Sequence, residues 1–158
     1  MAIDIQKEVH MMNERAGHII EALDQANLEW KGRFVANMAV GRRDYQLIIT
    51  ENEESIEMVA WLPVTVDEFR MARARSGVSE ANDKLRCAEF HLDEEKGRIS
   101  FRLYDLNTGM AFTAERMTGL LDYCRKALET YAEPLCDELS KTILDRFRSM
   151  LGVEARGA

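Results

Sequence analysis

Apolar side chains recur along the chain with two periods, and the elements change where the period changes. Ile5, Val9, Met12, Ala16, Ile19, Ile20 and Leu23 fall three and four apart, the single stripe of an amphipathic helix. Asp4 can cap it through the free N–H groups of the first turn, and the helix is predicted to stop near Asn27. Gly17 costs such a helix ~1 kcal/mol relative to alanine, which points to a close packing contact. From Trp30 the period drops to two: Phe34, Ala36, Met38 and Val40 alternate with Arg33, Val35, Asn37 and Ala39. Gly41-Arg42-Arg43-Asp44 supplies a turn, and Tyr45 to Thr50 is rich in β-formers. After the acidic turn Glu51 to Ser55, the run Ile56 to Pro63 reads as a third strand ended by the proline. Strands joined by turns this short form an antiparallel meander.

The middle of the chain is basic at Arg70, Arg73 and Arg75, after a short turn over Thr65 to Glu68. A short helix is predicted from Ser79, its cap, to Arg86. Cys87 to Leu92 and Arg98 to Tyr104 both alternate, and Asp93-Glu94-Glu95-Lys96-Gly97 makes the hairpin loop between them. The helical period returns after Thr113, a cap, through Met117, Leu120, Leu121, Cys124, Leu128 and Tyr131. Pro134 suits the first turn of a separate further helix carrying Leu135, Leu139, Ile143, Phe147 and Leu151. One domain over 1–151 follows, with 152–158 as a frayed tail. The core is predicted to hold Ile19, Leu23, Leu47, Ile49, Val59, Phe90, Leu92, Ile99, Phe101, Leu103, Leu120, Leu121 and Leu128.

Composition narrows the function classes. With 158 residues, 46% of them hydrophobic and 31% charged, the chain can bury a core and is too apolar for disorder. The net charge of −7 repels phosphates, so neither nucleic acid nor an anionic membrane is an expected partner. No stretch has the ~18 consecutive apolar residues of a membrane span, and the first residues lack a secretory pattern. The three cysteines, Cys87, Cys124 and Cys136, are widely spaced and show no C-x-x-C, which fits reduced thiols in a cytoplasmic protein.

Candidate chemistry is sparse. His10 and His18 are eight positions apart, beyond the i,i+4 spacing with which two imidazoles share a zinc, and His91 is predicted to point out of its sheet. Glu8, Glu14, Glu21 and Asp24 lack the Glu-x-x-His pairs of a di-iron bundle and read as a solvated helix face. No Gly-x-Ser-x-Gly elbow or Walker loop occurs. The reading is therefore no catalytic residue, no metal, no cofactor and no enzyme.

The stretch Ser79-Glu80-Ala81-Asn82-Asp83-Lys84-Leu85-Arg86-Cys87-Ala88-Glu89-Phe90-His91-Leu92-Asp93 joins a short asparagine-bearing helix to an x-F-x-L-D strand. Gly97-Arg98-Ile99-Ser100-Phe101-Arg102 and the helix opened by Thr113 follow. In these motifs, and in element order from about Asn27 to Tyr131, the chain resembles the YbjN-like family of bacterial sensory transduction regulators. The fold of that family is that of class I type III secretion chaperones. The resemblance implies an α+β fold, α-β-β-β-α-β-β-α(-α), whose antiparallel sheet of about five strands has the N- and C-terminal helices on one face. It also implies a homodimer that holds an extended segment of a protein partner on apolar surface. Phe34, Met38, Met58 and Trp61 are the expected contact residues, Trp61 because tryptophan is enriched at binding hot spots. The alternative is a regulatory domain sensing a small molecule or anion through Arg70, Arg73 and Arg75.

Overall fold

Alternate burial along the strands decides the architecture. The computed structural model describes residues 5–28, 30–31, 34–51, 55–106, 113–141 and 151–152. In chain order they form α1 (Ile5–Gln25), β1 (Trp30–Lys31), β2 (Val35–Val40), β3 (Arg43–Glu51), β4 (Ser55–Thr65), α2 (Met71–Lys84), β5 (Ala88–Asp93), β6 (Arg98–Leu106), α3 (Ala114–Ala127) and α4 (Glu133–Leu139). The six strands make one antiparallel sheet in the order β1-β2-β3-β4-β6-β5. Five of them are those expected from the sequence. The sixth, β1, is a two-residue strip pairing Trp30 with Ala36 and Lys31 with Val35.

One sheet face carries Ala36, Met38, Val40, Tyr45, Leu47, Ile49, Ile56, Met58, Ala60, Leu62, Phe90, Ile99, Phe101 and Leu103, all buried with Ile19 and Leu23 of α1 and Met117, Leu121, Leu128 and Leu139 of the C-terminal helices. The helices therefore cover this face and the core lies between the two layers. Of the predicted core, Leu92 and Leu120 are half-buried, and Val59 lies on the other face. The odd-numbered residues of β4 point away from the helices, so its β-branched character says nothing about burial.

The helix ends are local chemistry. Asn27 closes α1 in the left-handed region at φ 57°, with Leu28 N–H donating to the Leu23 carbonyl at 3.0 Å, a Schellman close. Gly17 has open space where a Cβ would stand, so no close contact explains it. The Thr113 hydroxyl caps α3 by accepting from Arg116 N–H at 3.2 Å. β4 runs past Pro63 to Thr65 because its ladder with β6 shifts register between Trp61 and Thr65, where the missing proline N–H is not needed. At Gly97, φ +63°, a Cβ would collide with the Val66 backbone, and the Gly97 carbonyl accepts from Val66 N–H at 2.7 Å.

Two helices differ from the expectation. α2 begins at Met71, directly after a 3₁₀ turn over Glu68–Arg70 that Asp67 caps, so Ser79 lies mid-helix and caps nothing. α4 is no separate helix: α3 runs into it through a wide turn over Leu128–Ala132 with i→i+5 bonding. Pro134 lacks an N–H and crowds the carbonyl four residues back, and the widened turn ahead of it takes up that lost bond. α4 ends at Leu139. Ile143, Phe147 and most of the 152–158 tail lie outside the described residues, and Leu151 is exposed.

α4 is fastened to the sheet by a polar cluster. The buried Tyr45 hydroxyl donates to Glu133 Oε1 at 2.6 Å. Arg43 Nη1 reaches Glu133 Oε2 at 3.2 Å and Asp137 Oδ1 at 2.7 Å. Burial, and then the hydrogen bond to Glu133, push the Tyr45 phenol above its ordinary value.

Candidate partner-binding surface

The sheet face away from the helices is less covered. Strand register sets Val35 opposite Ile48, Ile48 opposite Val59, and Val59 opposite Arg102. The next row holds Asn37, Gln46, Trp61, Ser100 and His91. Val35, Ile48, Val59 and Trp61 are half-buried, while Asn37, Gln46 and His91 around them are exposed. An apolar strip thus crosses three strands inside a polar rim. The Arg98 guanidinium sits 4.9 Å from the Trp61 ring centre, a cation–π distance. Arg102 Nε donates to the buried Ser100 hydroxyl at 3.4 Å. Arg98 leans toward β4 and Arg102 bonds within β6, while Asp93 and Glu89 are their cross-strand neighbours on β5.

The four expected contact residues do not come together here. Met38 and Met58 are 0% and 1% exposed on the helix-covered face, where even positions of β2 and β4 point. They fill the core and offer no contact surface in this state. Phe34, half-buried at φ 53° ahead of β2, packs against the same core. Trp61 is the one that looks out. Phe69, 84% exposed in the 3₁₀ turn, was invisible to pattern reasoning because a single aromatic between charged residues has no period.

The sheet edge at β5 is blocked at Phe90. Asn82 of α2 donates through Nδ2 to the Phe90 carbonyl at 2.9 Å and accepts from Phe90 N–H at 2.7 Å. The carboxamide stands in for a neighbouring strand, one of the ways natural sheets block edge pairing. An extended partner therefore cannot add at Phe90 without displacing Asn82. This assigns a job to the asparagine singled out in the helix-to-strand motif.

Arg70, Arg73 and Arg75 do not converge on one point. Arg70 donates to the Leu139 carbonyl at the end of α4 and pairs with Asp67 at 3.6 Å. Arg73 pairs with Glu138 at 2.7 Å, and that hydrogen bond holds its guanidinium above the ordinary value against the effect of burial. Arg75 pairs with Glu94 in the β5–β6 turn. The cluster lies on the start of α2, where a loop ahead of a helix N-terminus was expected, and its charges tie α2 to α4 and to the hairpin.

No group of three or more metal-ligating side chains occurs among the described residues. Cys124 and Cys136 are buried and Cys87 is exposed. Burial pushes the Cys124 thiol up to about 12 and also raises that of Cys136, so neither supplies thiolate near neutrality. A thiol reagent is expected to titrate Cys87 rapidly in the native protein and the other two only after denaturant is added. Titration of all three at one rate would contradict the packing of α3 and α4.

No family model and no curated protein matches the chain. Among solved structures, YbjN from E. coli, described with its structure as a candidate transcription regulator, matches with a TM-score of 0.54 at 11% identity over 72% of this chain and 84% of that one. The fold is YbjN-like. At that identity the likeness to YbjN is one of backbone alone. The chaperone–effector complex of HopA1 and SchA matches with a TM-score of 0.45 at 14% identity over 81% of this chain and 99% of that one. The YbjN fold, an α+β sheet with helices on one face, agrees with the expectation drawn from the residue motifs. No described helix is long and apolar enough to cross a membrane.

Proposed function

We propose that the chain is a non-enzymatic protein-binding module, chaperone-like or regulatory, whose contact surface is the uncovered sheet face centred on Trp61. The supporting observation is the Trp61 ring, half-buried between Arg98 and an apolar strip on the face the described helices leave free. Tryptophan and arginine at the centre of a patch are the residue types that carry most interface energy. A partner segment laid along Val35, Ile48, Val59 and Trp61 buries apolar area on both sides and leaves the Met38 and Met58 core intact. The anion-sensing reading loses support because Arg70, Arg73 and Arg75 already have acidic or carbonyl partners.

The test is capture from the native host on immobilised protein, with light scattering of the same sample to check the homodimer that the family resemblance implies. A stoichiometric partner is expected, retained by Arg73→Ala and weakened about tenfold or more by Trp61→Ala, the scale of a hot-spot residue. Gln46 is exposed opposite Trp61, so Gln46→Arg puts a charge on the face without touching the core and gives the same loss. Absence of a stoichiometric partner, or capture indifferent to both face variants, sinks the reading.

A further inference from the structure

A cavity of about 980 Å³ lies between the start of β5, the end of β6 and α3, within the size range of small-molecule sites. Its walls are Leu103, Leu120, Tyr104 and Tyr123. Among the described residues, large apolar side chains are exposed at Phe69, Tyr104, Tyr123 and Leu151, and two of those four line this one hollow. The Tyr123 hydroxyl donates to the Arg86 carbonyl at 2.9 Å, which fixes both the ring and the chain entering β5.

Three further features belong to the same place. Gly119 lines the cavity from within α3 and has nothing within 4 Å of where a Cβ would stand. Glycine inside a helix costs ~1 kcal/mol against alanine; no neighbour demands it here, and its effect is to deepen the hollow. Cys87, also in the lining, holds φ +61°, a backbone state that non-glycine residues keep mainly where the surroundings impose it. Arg86 lies at the rim and has no carboxylate partner among the described residues, whereas Arg116 is occupied by Asp105 at 2.7 Å through two nitrogens. Glu89, the remaining acid in the lining, disfavours a polyanion.

We propose that this cavity binds a small amphiphilic monoanion, with its aliphatic or aromatic body against Leu103, Leu120 and the two tyrosines and its acidic group on Arg86. Tyr104 shares the sheet face of Trp61, opposite Glu57, but Trp61 is not in the lining and Gly119 belongs to α3, so either proposal can fail without the other.

The probes are 8-anilinonaphthalene-1-sulfonate, an aromatic monoanion that fluoresces in apolar surroundings, and decanoate. Saturable binding of one sulfonate per chain is expected, with displacement by decanoate. Decanoate should also slow labelling of Cys87 about fivefold or more, as steric exclusion at the rim requires. Gly119→Leu fills the open space with a better helix former; it should keep the melting temperature and weaken both probes about tenfold or more. Arg86→Gln should weaken decanoate about tenfold, the scale of a hydrogen bond to a charged group, and leave decanol unchanged. Absence of saturable binding, equal binding by folded Gly119→Leu, or unslowed Cys87 labelling at saturating decanoate overturns the proposal. Equal loss of decanoate and decanol in Arg86→Gln overturns the role of Arg86.

Discussion

Phe101→Ala is expected to lower the free energy of unfolding by about 3–5 kcal/mol, the usual loss for a truncated core aromatic. Phe101 is 0% exposed on β6, with β4 on one side and β5 on the other. Its cross-strand neighbours are Ala60 and Phe90, and its ring centre lies 5.1 Å from that of Phe90 at an interplanar angle of 55°, a favourable tilted pair. Ala60 is too small to move into the space that truncation opens, and the strand backbone is held on both sides. The hole therefore persists instead of collapsing, which puts the cost toward the upper end of that range. Against a typical domain stability of about 5–15 kcal/mol this is a large share. Tyr104, three residues along the same strand but 42% exposed on the other side, is the control: its alanine variant should lose about 0.5–1 kcal/mol at most. Urea unfolding of both variants measures the difference, and a Phe101→Ala loss under about 1 kcal/mol would show that the ring is not sealed by the helices.

Strand alternation made most of the sheet legible. In β2, β3 and β6 a period of two placed Ala36, Leu47 and Phe101 inward, since each strand has one face on the core. Val59 shows the limit of that signal. In β4 both faces are apolar, Met58 and Ala60 inward and Val59 and Trp61 outward, so periodicity cannot tell which face meets the helices. α2 departs from its sequence pattern for the opposite reason. Its buried stripe is only Ala74, Val78 and Ala81, small side chains that let it pack closely. A Cβ on Gly77 would stand 2.6 Å from Leu135 Cδ1, so α2 approaches α4 where glycine leaves room, and a helix that buries so little shows little period. Pro134 has the pattern of a helix start yet lies inside a continuous helix, because a widened turn that absorbs a proline has no sequence mark of its own.

The surface was less legible than the fold, for a physical reason. Arg98, Ser100 and Arg102 belong with Trp61 only through the register of β4 on β6, and register is a property of two distant segments. Three arginines within six positions looked like a site because they were close in sequence. On a helix they spread to different neighbours, and Glu138 and Glu94 neutralise two of them from segments distant in the chain. Asn82 was visible as part of a motif, but its two bonds to Phe90 appear only once α2 lies beside β5. Gly119 carries no periodic signal, and Cys87 reads as the start of an alternating strand although it lies just outside β5 at φ +61°; a missing Cβ and a left-handed residue matter only in the folded hollow they shape.

Glu133→Ala is expected to cost about 2–3 kcal/mol, the penalty for leaving a buried hydroxyl without its acceptor. Tyr45 is 0% exposed, and without Glu133 its hydroxyl keeps only the weak contact to Cys136 Sγ at 3.8 Å. Glu133→Gln retains an acceptor oxygen at 2.6 Å but not the charge facing Arg43, so it should lose less than alanine. Adding Tyr45→Phe to Glu133→Ala removes the stranded hydroxyl and should recover part of the loss, a coupling that a double-mutant cycle reads directly. The same cluster sets a pH dependence. Burial, then Glu133, hold the Tyr45 phenol above the unfolded value of 10.0, so the folded state keeps the proton that the unfolded state releases. Its contribution is complete below pH 10.0 and is lost as pH rises beyond it, by about 1.4 kcal/mol per pH unit while the folded phenol stays protonated. Wild type should therefore lose stability faster than Tyr45→Phe above pH 10, since every other titrating group is common to both. Parallel curves would mean that Tyr45 reaches solvent and that α4 is not held down on β3 by this contact.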